Sequence, residues 1–394
     1  MNNKIIAGIV VAIVAIAAVG AGLFFFLQEN DREINVLAAV NIEGSGIYID
    51  KNIDVNTMFD FSTDVPTPIA SGWAGKVFGT PGMATIQHVQ ILSLVSEMGL
   101  KQEHYRPESY NPNSTDTVYV SPNIPNAVTA LGTDYISGGI LWQPQYQKII
   151  EDKSQKRDFK ALALTNDLFP GHSCCIIAGN HSFTSKNPDV TVRFLTAYVR
   201  AVDWVNNALS DPVMTNSNYA KLVNSAKRVT GQAFTDQEVI EALKTVTYTH
   251  GGDLSELTSN IAKLSDDLMR LGQTSGVTMK DLGFNNGTEF ANKFVDNSYL
   301  LSAQSFASSG EKPAGSDRTV DLKVAVISGD IHQIALHMAI ELGYFQEYGL
   351  NVTPSSATNG PGIATSIQNG DSSFGLLGAP PMTITVISGK LVTA

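Results

Sequence analysis

Residues 320–352 read VDLKVAVISGDIHQIALHMAIELGYFQEYGLNV, and the pattern of this stretch changes twice along its length. Lys323–Ile327 is a short apolar run of the kind that forms a buried strand, and Ser328, Gly329 and Asp330 supply a turn. Ile334, Ala335, Met338, Ala339 and Leu342 then recur at three- and four-residue steps, which is one face of a helix, and Gly343 stops it. An aromatic pair follows, and Leu350–Thr353 returns to a strand pattern. Strand, turn, helix and strand in about thirty residues is the repeating unit of a parallel sheet.

Working outward, residues 304–320 (with SFASSGEKPAGSDRTV) are rich in Ser, Ala, Gly and Pro and show no periodicity, so they are expected to be a linker. The long stretch before it alternates strand-like runs with capped helices, which predicts an α/β fold. Strands are expected at 34–40, 76–79, 117–120, 135–141 and 373–377. Leu254, Leu257, Ile261, Leu264, Leu268 and Leu271 form a helical stripe opened by Asp253, with Glu256 three residues on, and closed by Gly272. Another helix begins at Asn187 as N-cap with Pro188 in its first turn and runs apolar through Val190, Phe194, Tyr198, Val202 and Val205. These stripes are read as core faces.

The chain has 394 residues, 26 basic and 37 acidic, for a formal charge of −11 and a pI near 5.1. An acidic balance without a basic run argues against a nucleic-acid partner. Hydrophobic residues at 43% against 16% charged give enough apolar surface for a core. The two adjacent cysteines, Cys174 and Cys175, cannot make a disulfide framework and lack the spacing of a structural zinc site; they are read as buried and apolar in character. Ile5–Leu27 is 23 residues without a charge, about 34 Å as a helix, against a hydrocarbon core of roughly 30 Å. It is expected to anchor the protein in a membrane, with Lys4 on the cytoplasmic flank and the remainder outside; a cleaved signal segment is the alternative. Sequons at Asn113, Asn180, Asn286 and Asn351 fit an external location, though such sequons are common by chance.

Stretch 320–352 resembles the opening of solute-binding proteins of the nitrate/sulfonate/taurine ABC importers, and ATNGPGIATSIQNGDSSFGLLGAPP, 357–381, resembles that family's next unit. INVLAAVNIEGSGIYI, GKVFGTPGMATIQH, DYISGGILWQPQ and NPDVTVRFLTAYVRAVDWVNN, all within 34–303, resemble the later parts of the same pattern in order. The resemblance implies a two-lobed, periplasmic-binding-protein-like type II fold that is circularly permuted. Residues 1–30 would be the anchor or signal, 31–75 part of lobe 1, 76–178 lobe 2, and 179–303 the return to lobe 1 with C-terminal helices. Residues 304–320 would be the linker, and 321–394 the family's first portion in lobe 1. The rival arrangement is a tandem pair of truncated copies. Permutation requires Lys323–Ile327 to share a sheet with Ile34–Val40.

Open α/β sheets hold ligands beyond the carboxyl ends of their strands, where helix N-termini present free amides. Loops so placed put Thr80, Gly82, Met83 and Thr85, then Ser328 and His332, then Asn359 and Gly360 at the expected cleft. Asn41 and Ser45 follow a strand, as do Ala379 and Pro380. Trp142 and Gln143 end another; Trp142 is a ligand wall or core packing, and His172 an anion donor or an interlobe histidine. The resemblance implies capture of a small anion or organic solute by lobe closure, and delivery to an ABC permease and its ATPase, with no catalytic residue, cofactor or metal. Two other readings stay open: an enzyme similar to the pyrimidine synthase of thiamine biosynthesis, suggested by the two cysteines and His172, and a solute-sensing ectodomain. No nucleophile elbow, zinc-protease motif or phosphate-binding loop is present.

Overall fold

The computed structural model describes residues 33–152, 157–231, 233–251 and 254–393. The expected anchor Ile5–Leu27 and the expected cap Asp253 lie outside the described residues. Among the described residues no helix is long and apolar enough to cross a membrane.

The strands are, in chain order, β1 (Ile34–Glu43), β2 (Ser45–Asp50), β3 (Phe59–Asp60), β4 (Thr67–Pro68), β5 (Val77–Gly79), β6 (Lys101–His104), β7 (Thr117–Ser121), β8 (Gly138–Trp142), β9 (Phe159–Leu164), β10 (Ser173–Asn180), β11 (Val246–Tyr248), β12 (Val320–Ile327), β13 (Leu350–Ala357) and β14 (Phe374–Gly378). They form two mixed six-stranded sheets, ordered β11-β1-β10-β14-β12-β13 and β6-β7-β5-β8-β2-β9, and the short hairpin β3-β4. The α/β class follows from the alternation of strand and helix patterns. Within each sheet the βαβ strands pair in parallel, and the strands that pass between sheets pair antiparallel.

β12 therefore lies in the same sheet as β1, with β10 and β14 between them. The helix Pro188–Leu209 packs on this sheet through Phe194, whose ring stacks on Phe374 of β14 at 4.4 Å and on Phe345 at 5.2 Å. Residues from both sides of the 304–320 stretch thus share one apolar layer. In the second sheet Trp73 stacks on Phe78 of β5 at 4.3 Å and donates its Nε1–H to Met58 O.

Several expectations are corrected. Residues 304–309 are not linker, because the helix Ser298–Ser309 continues through them: Leu300, Ala303 and Ala307 recur at helical spacing against the core, and Gly310, at φ 73°, ends it. β2, inside the 31–75 segment expected in lobe 1, belongs to the second sheet, and β10 begins the return at Ser173, earlier than 179. The expected strand 135–141 starts only at Gly138, since Tyr135 stacks on Tyr105 at 4.2 Å instead of joining the ladder. Asn187 stands at the N-cap position but donates its side chain to Phe183 O at 2.9 Å, because the helix His181–Lys186 runs straight into it. Asn180 is buried, accepts from Phe183 N and donates to Ile367 O, which leaves no amide free for a glycan.

Arg193 shows how the C-terminal segment is held. Its guanidinium is fully buried, and Nη1 donates to Gly315 O (2.7 Å), Arg318 O (3.0 Å) and Tyr348 O (3.1 Å), the turns that deliver β12 and β13. Arg193→Met leaves three carbonyls without that donor and is expected to cost about 2–3 kcal/mol. Arg318→Ala, which breaks an exposed ion pair with Asp189, is expected to cost less than about 1 kcal/mol. Urea unfolding midpoints of the two variants check the contrast.

Candidate functional site

The chain crosses from the first sheet to the second between β1 and β2, and returns between β9 and β10. At the first crossing Glu43 has φ 67° and Gly44 φ 96°, a backbone that L side chains rarely adopt. Space demands glycine at Gly44 as well: a Cβ there would stand 2.3 Å from His332 Nε2. The two crossings are bonded to each other by Glu43 N to His172 O (3.2 Å) and Gly171 N to Glu43 Oε1 (3.2 Å).

His332 reaches this crossing from the C-terminal segment. Asp330 caps the short turn Ile331–Gln333, accepting from His332 N at 2.9 Å, and its carboxylate also meets His332 Nδ1 at 2.7 Å. Nε2 is 3.0 Å from Gly44 O, which also accepts Gln143 N at 3.0 Å. Burial alone pushes the imidazole down, yet the Asp330 charge and hydrogen bond outweigh it, and His332 is raised to about 9. At neutral pH the ring is a buried imidazolium donating from both nitrogens.

A cavity of about 350 Å³ lies between the two sheets over this point. Pro81, Thr85, Gln87, Pro125 and Trp142 wall it from the second-sheet side, and Cys174, Cys175, Asp330, His332, Asn359 and Pro381 from the first. Two helices start at its wall. Thr85 caps Ile86–Glu97, accepting from His88 N, and Asn359 caps Gly360–Gln368, accepting from Gly362 N at 2.9 Å. Their positive dipole ends face a cavity that the Asp330 carboxylate, paired with His332, also lines.

Of the residues expected at a cleft, Thr85, Trp142, His332, Asn359 and Gly360 line this cavity together. The others sit elsewhere. Thr80 is buried against His88 Nδ1 (2.9 Å), and Ser45 accepts from Gln87 Nε2 (2.9 Å). Gln143 is buried and donates to Thr245 (2.7 Å), and Asn41 is buried and donates to Glu43 O (2.8 Å). Ala379 is buried, Pro380 and Gly82 are not among the lining residues, and Met83 is half exposed at the surface. Ser328 opens on a separate shallow hollow with Arg228 and Glu341, and His172 lies in a second interlobe cavity.

Sequence reasoning missed Gln87, Pro125, Pro381 and the two cysteines as lining residues. The signal for the cysteines was their place in a strand directly after a crossing loop. Their sulfurs are 3.8 Å apart; the hydrogen bond from Cys175 holds the Cys174 thiol below its ordinary range, whereas that bond and burial push Cys175 well above it. Cys174, Cys175 and His332 bring ligand-type atoms within 4.8 Å of one another. His332 Nε2 faces Gly44 O at 3.0 Å, so it could ligate a metal with the two sulfurs only by giving up that bond.

Residues 1–222 match the NMT1-like family. Among solved structures the chain is similar to a ligand-binding component of an ABC-type import system from Staphylococcus aureus, solved with zinc bound, at 14% identity over 71% of this chain and 78% of that one, TM-score 0.43. It is also similar to the periplasmic nitrate-binding protein NrtA of Synechocystis PCC 6803, at 11% identity over 69% of this chain and 67% of that one, TM-score 0.47. No curated protein matches it in sequence.

The site has a pH signature. His332, raised in the fold, contributes stability that is complete below about pH 6.5 and lost as pH rises through about 9. His88 and His172, each lowered to about 4 chiefly by burial, contribute stability present above 6.5 and lost as pH falls toward 4. Ring NMR should place the His332 titration near pH 9, and Asp330→Asn should move it well down, because burial is then opposed only by the Gly44 carbonyl and the Cys174 thiol.

Proposed function

The chain belongs to the NMT1-like family, and on that premise we propose that it is the solute-binding component of an ABC importer. Its ligand on this reading is a small anion or small organic solute of the nitrate, sulfonate or taurine kind. The observation that carries the reading is the cavity of about 350 Å³ walled by both sheets, with a helix N-terminus entering from each side. A ligand there touches both lobes at once, so binding favours the closed form over the open one.

The chain's own groups divide the work. The amides of Ile86 and Gln87 beyond Thr85 and of Gly360 beyond Asn359 donate to the solute's oxygens, and the His332 ring, neutralised by Asp330, forms part of the floor without giving up its own bonds. Trp142, half-buried at the rim, and Pro81, Pro125 and Pro381 exclude water from the solute's apolar part. Selectivity follows from buried polar groups that stay unpaired when the wrong molecule enters. The closed form would then dock on a permease, with the N-terminal segment keeping the protein at the outer membrane face.

The same reading treats residues 321–394 as the family's first portion, moved by circular permutation to the chain's end and completing one lobe with 34–43 and 173–180. The shared sheet β1-β10-β14-β12 supports it, since that order joins the two stretches through the direct pairing of β10 with β14.

Thermal shift with nitrate, bicarbonate, taurine, alkyl sulfonates and thiamine pyrimidine precursors tests the function. At least one is expected to raise the melting temperature, by linkage to the folded state. Thr85→Val and Asn359→Leu, which strip the two caps, are expected to weaken that ligand about tenfold or more. A panel with no shift from any member would overturn the assignment of solute class.

A further inference from the structure

Successive residues of a strand point to opposite faces, so two adjacent cysteines in β10 would ordinarily stand on either side of the sheet. The pairing of β10 with β1 prevents this. Cys175 stands opposite Asn41 and Ser173 opposite Ile42, so two steps on β10 face one step on β1, and Cys174 is the extra residue of a bulge. Both cysteines line the cavity between the sheets, and their sulfurs lie 3.8 Å apart. They are free thiols, each nearly buried, and solute binding as proposed above makes no use of them.

Their surroundings make the two sulfurs unequal. The hydrogen bond from Cys175 holds the Cys174 thiol below its ordinary range against burial; the His332 imidazolium acts in the same direction, and the Asp330 carboxylate opposes it. The same bond and burial push Cys175 well above its range. Cys174 is thus the nucleophile of the pair, with a second thiol in reach of whatever forms on it.

We propose that Cys174 and Cys175 are a peroxide-sensitive dithiol that closes to a disulfide within the cavity wall. The Cys174 sulfur attacks one oxygen of hydrogen peroxide, the O–O bond breaks, and one water leaves as the sulfur becomes a sulfenic acid. The Cys175 sulfur then displaces that hydroxyl as a second water, and the S–S bond forms. Two electrons and two protons pass from the thiols to the peroxide. Hydrogen peroxide is little larger than water and fits a cavity of about 350 Å³. The sulfurs close from 3.8 Å to about 2 Å, and neighbours across one peptide lie closer at Cα than most bridged pairs, so the bridge is strained and readily reduced. Closure replaces two S–H groups with one apolar bridge at the bulge opposite Asn41. The cavity wall has these two covalent states whichever solute it holds.

Mass spectrometry of the full chain after treatment with hydrogen peroxide tests this. The peptide carrying both cysteines is expected to lose two hydrogens, to resist iodoacetamide after unfolding, and to regain both thiols with dithiothreitol. Cys175→Ser is expected to stop at a sulfenic acid that dimedone traps, and Cys174→Ser to react about tenfold more slowly than Cys175→Ser. The His332 ring resonances are expected to move on oxidation of the native chain, since a ring nitrogen lies within 4.8 Å of both sulfurs. Thiols still open to iodoacetamide after peroxide, oxygen added to either cysteine without a bridge, a bridge between two chains, or equal rates in the two serine variants would overturn the proposal.

Discussion

Gly44 O accepts from Gln143 N, at the end of a second-sheet strand, and from the His332 ring, at the start of the C-terminal unit. One carbonyl has two lone pairs, and here each is spent on a different part of the molecule. The Asp330 carboxylate keeps His332 charged, so the bond from the ring is charge-assisted and formed away from water, where its loss would leave a buried N–H donor without an acceptor. Glycine at this position is a condition of the contact, because any Cβ would occupy the space of the ring nitrogen. The crossing, the cavity floor and the attachment of the last βαβ units therefore depend on the same few atoms.

That constraint separates groups the cavity can offer from groups already used. Ser45, Thr80 and Gln143 are polar, near the crossings, and committed: their partners are Gln87, His88 and Thr245, whereas Asn41 spends its amide NH2 on Glu43 O and keeps a buried Oδ1 without a partner. All four fix the geometry of the loops, and the first three have little capacity left for a ligand. The amides of Ile86, Gln87 and Gly360 are different in kind, since neither the helices nor their cap side chains use them. On the proposed reading, a site built from such amides and one internally neutralised imidazolium would hold a ligand without a free arginine or lysine, a chemistry that side-chain motifs do not reveal.

What was legible in the sequence follows from which forces act locally. The run 320–352 carries its strand, turn, helix and stop in adjacent residues, and Thr85 and Asn359 are capping residues followed by apolar periodicity, so both were readable. The switch of sheet at Gly44 was not, because a loop after the expected strand 34–40 does not say that the chain leaves for another sheet, which the positive φ at Glu43 and Gly44 brings about. The helix end 304–309 was hidden by its Ser-rich exposed face, which masks the spacing of Leu300, Ala303 and Ala307. Cys174 and Cys175 line the cavity through pairing partners 134 and more residues away in the chain, a relation no local pattern encodes.

Sheet order and chain order are separate constraints, and the first sheet shows how far they separate. β14 pairs with β10 antiparallel over five residues and with β12 in parallel, so β12 and β13 attach to the sheet through β14 and not through the strand that precedes them in sequence. Backbone pairing and apolar contact act through space, and the chain need only arrive without crossing another connection. Here it arrives through the turns at 310–319, whose carbonyls Arg193 holds from beneath while Phe194, its neighbour on the same helix, stacks on β14. Two adjacent residues of one helix, one polar and one aromatic, thus clamp both the entry and the middle of the C-terminal segment. The buried residues of the segment, from Leu322 and Val324 to Leu376 and Leu377, thus join the same core as the strand nearly three hundred residues before it.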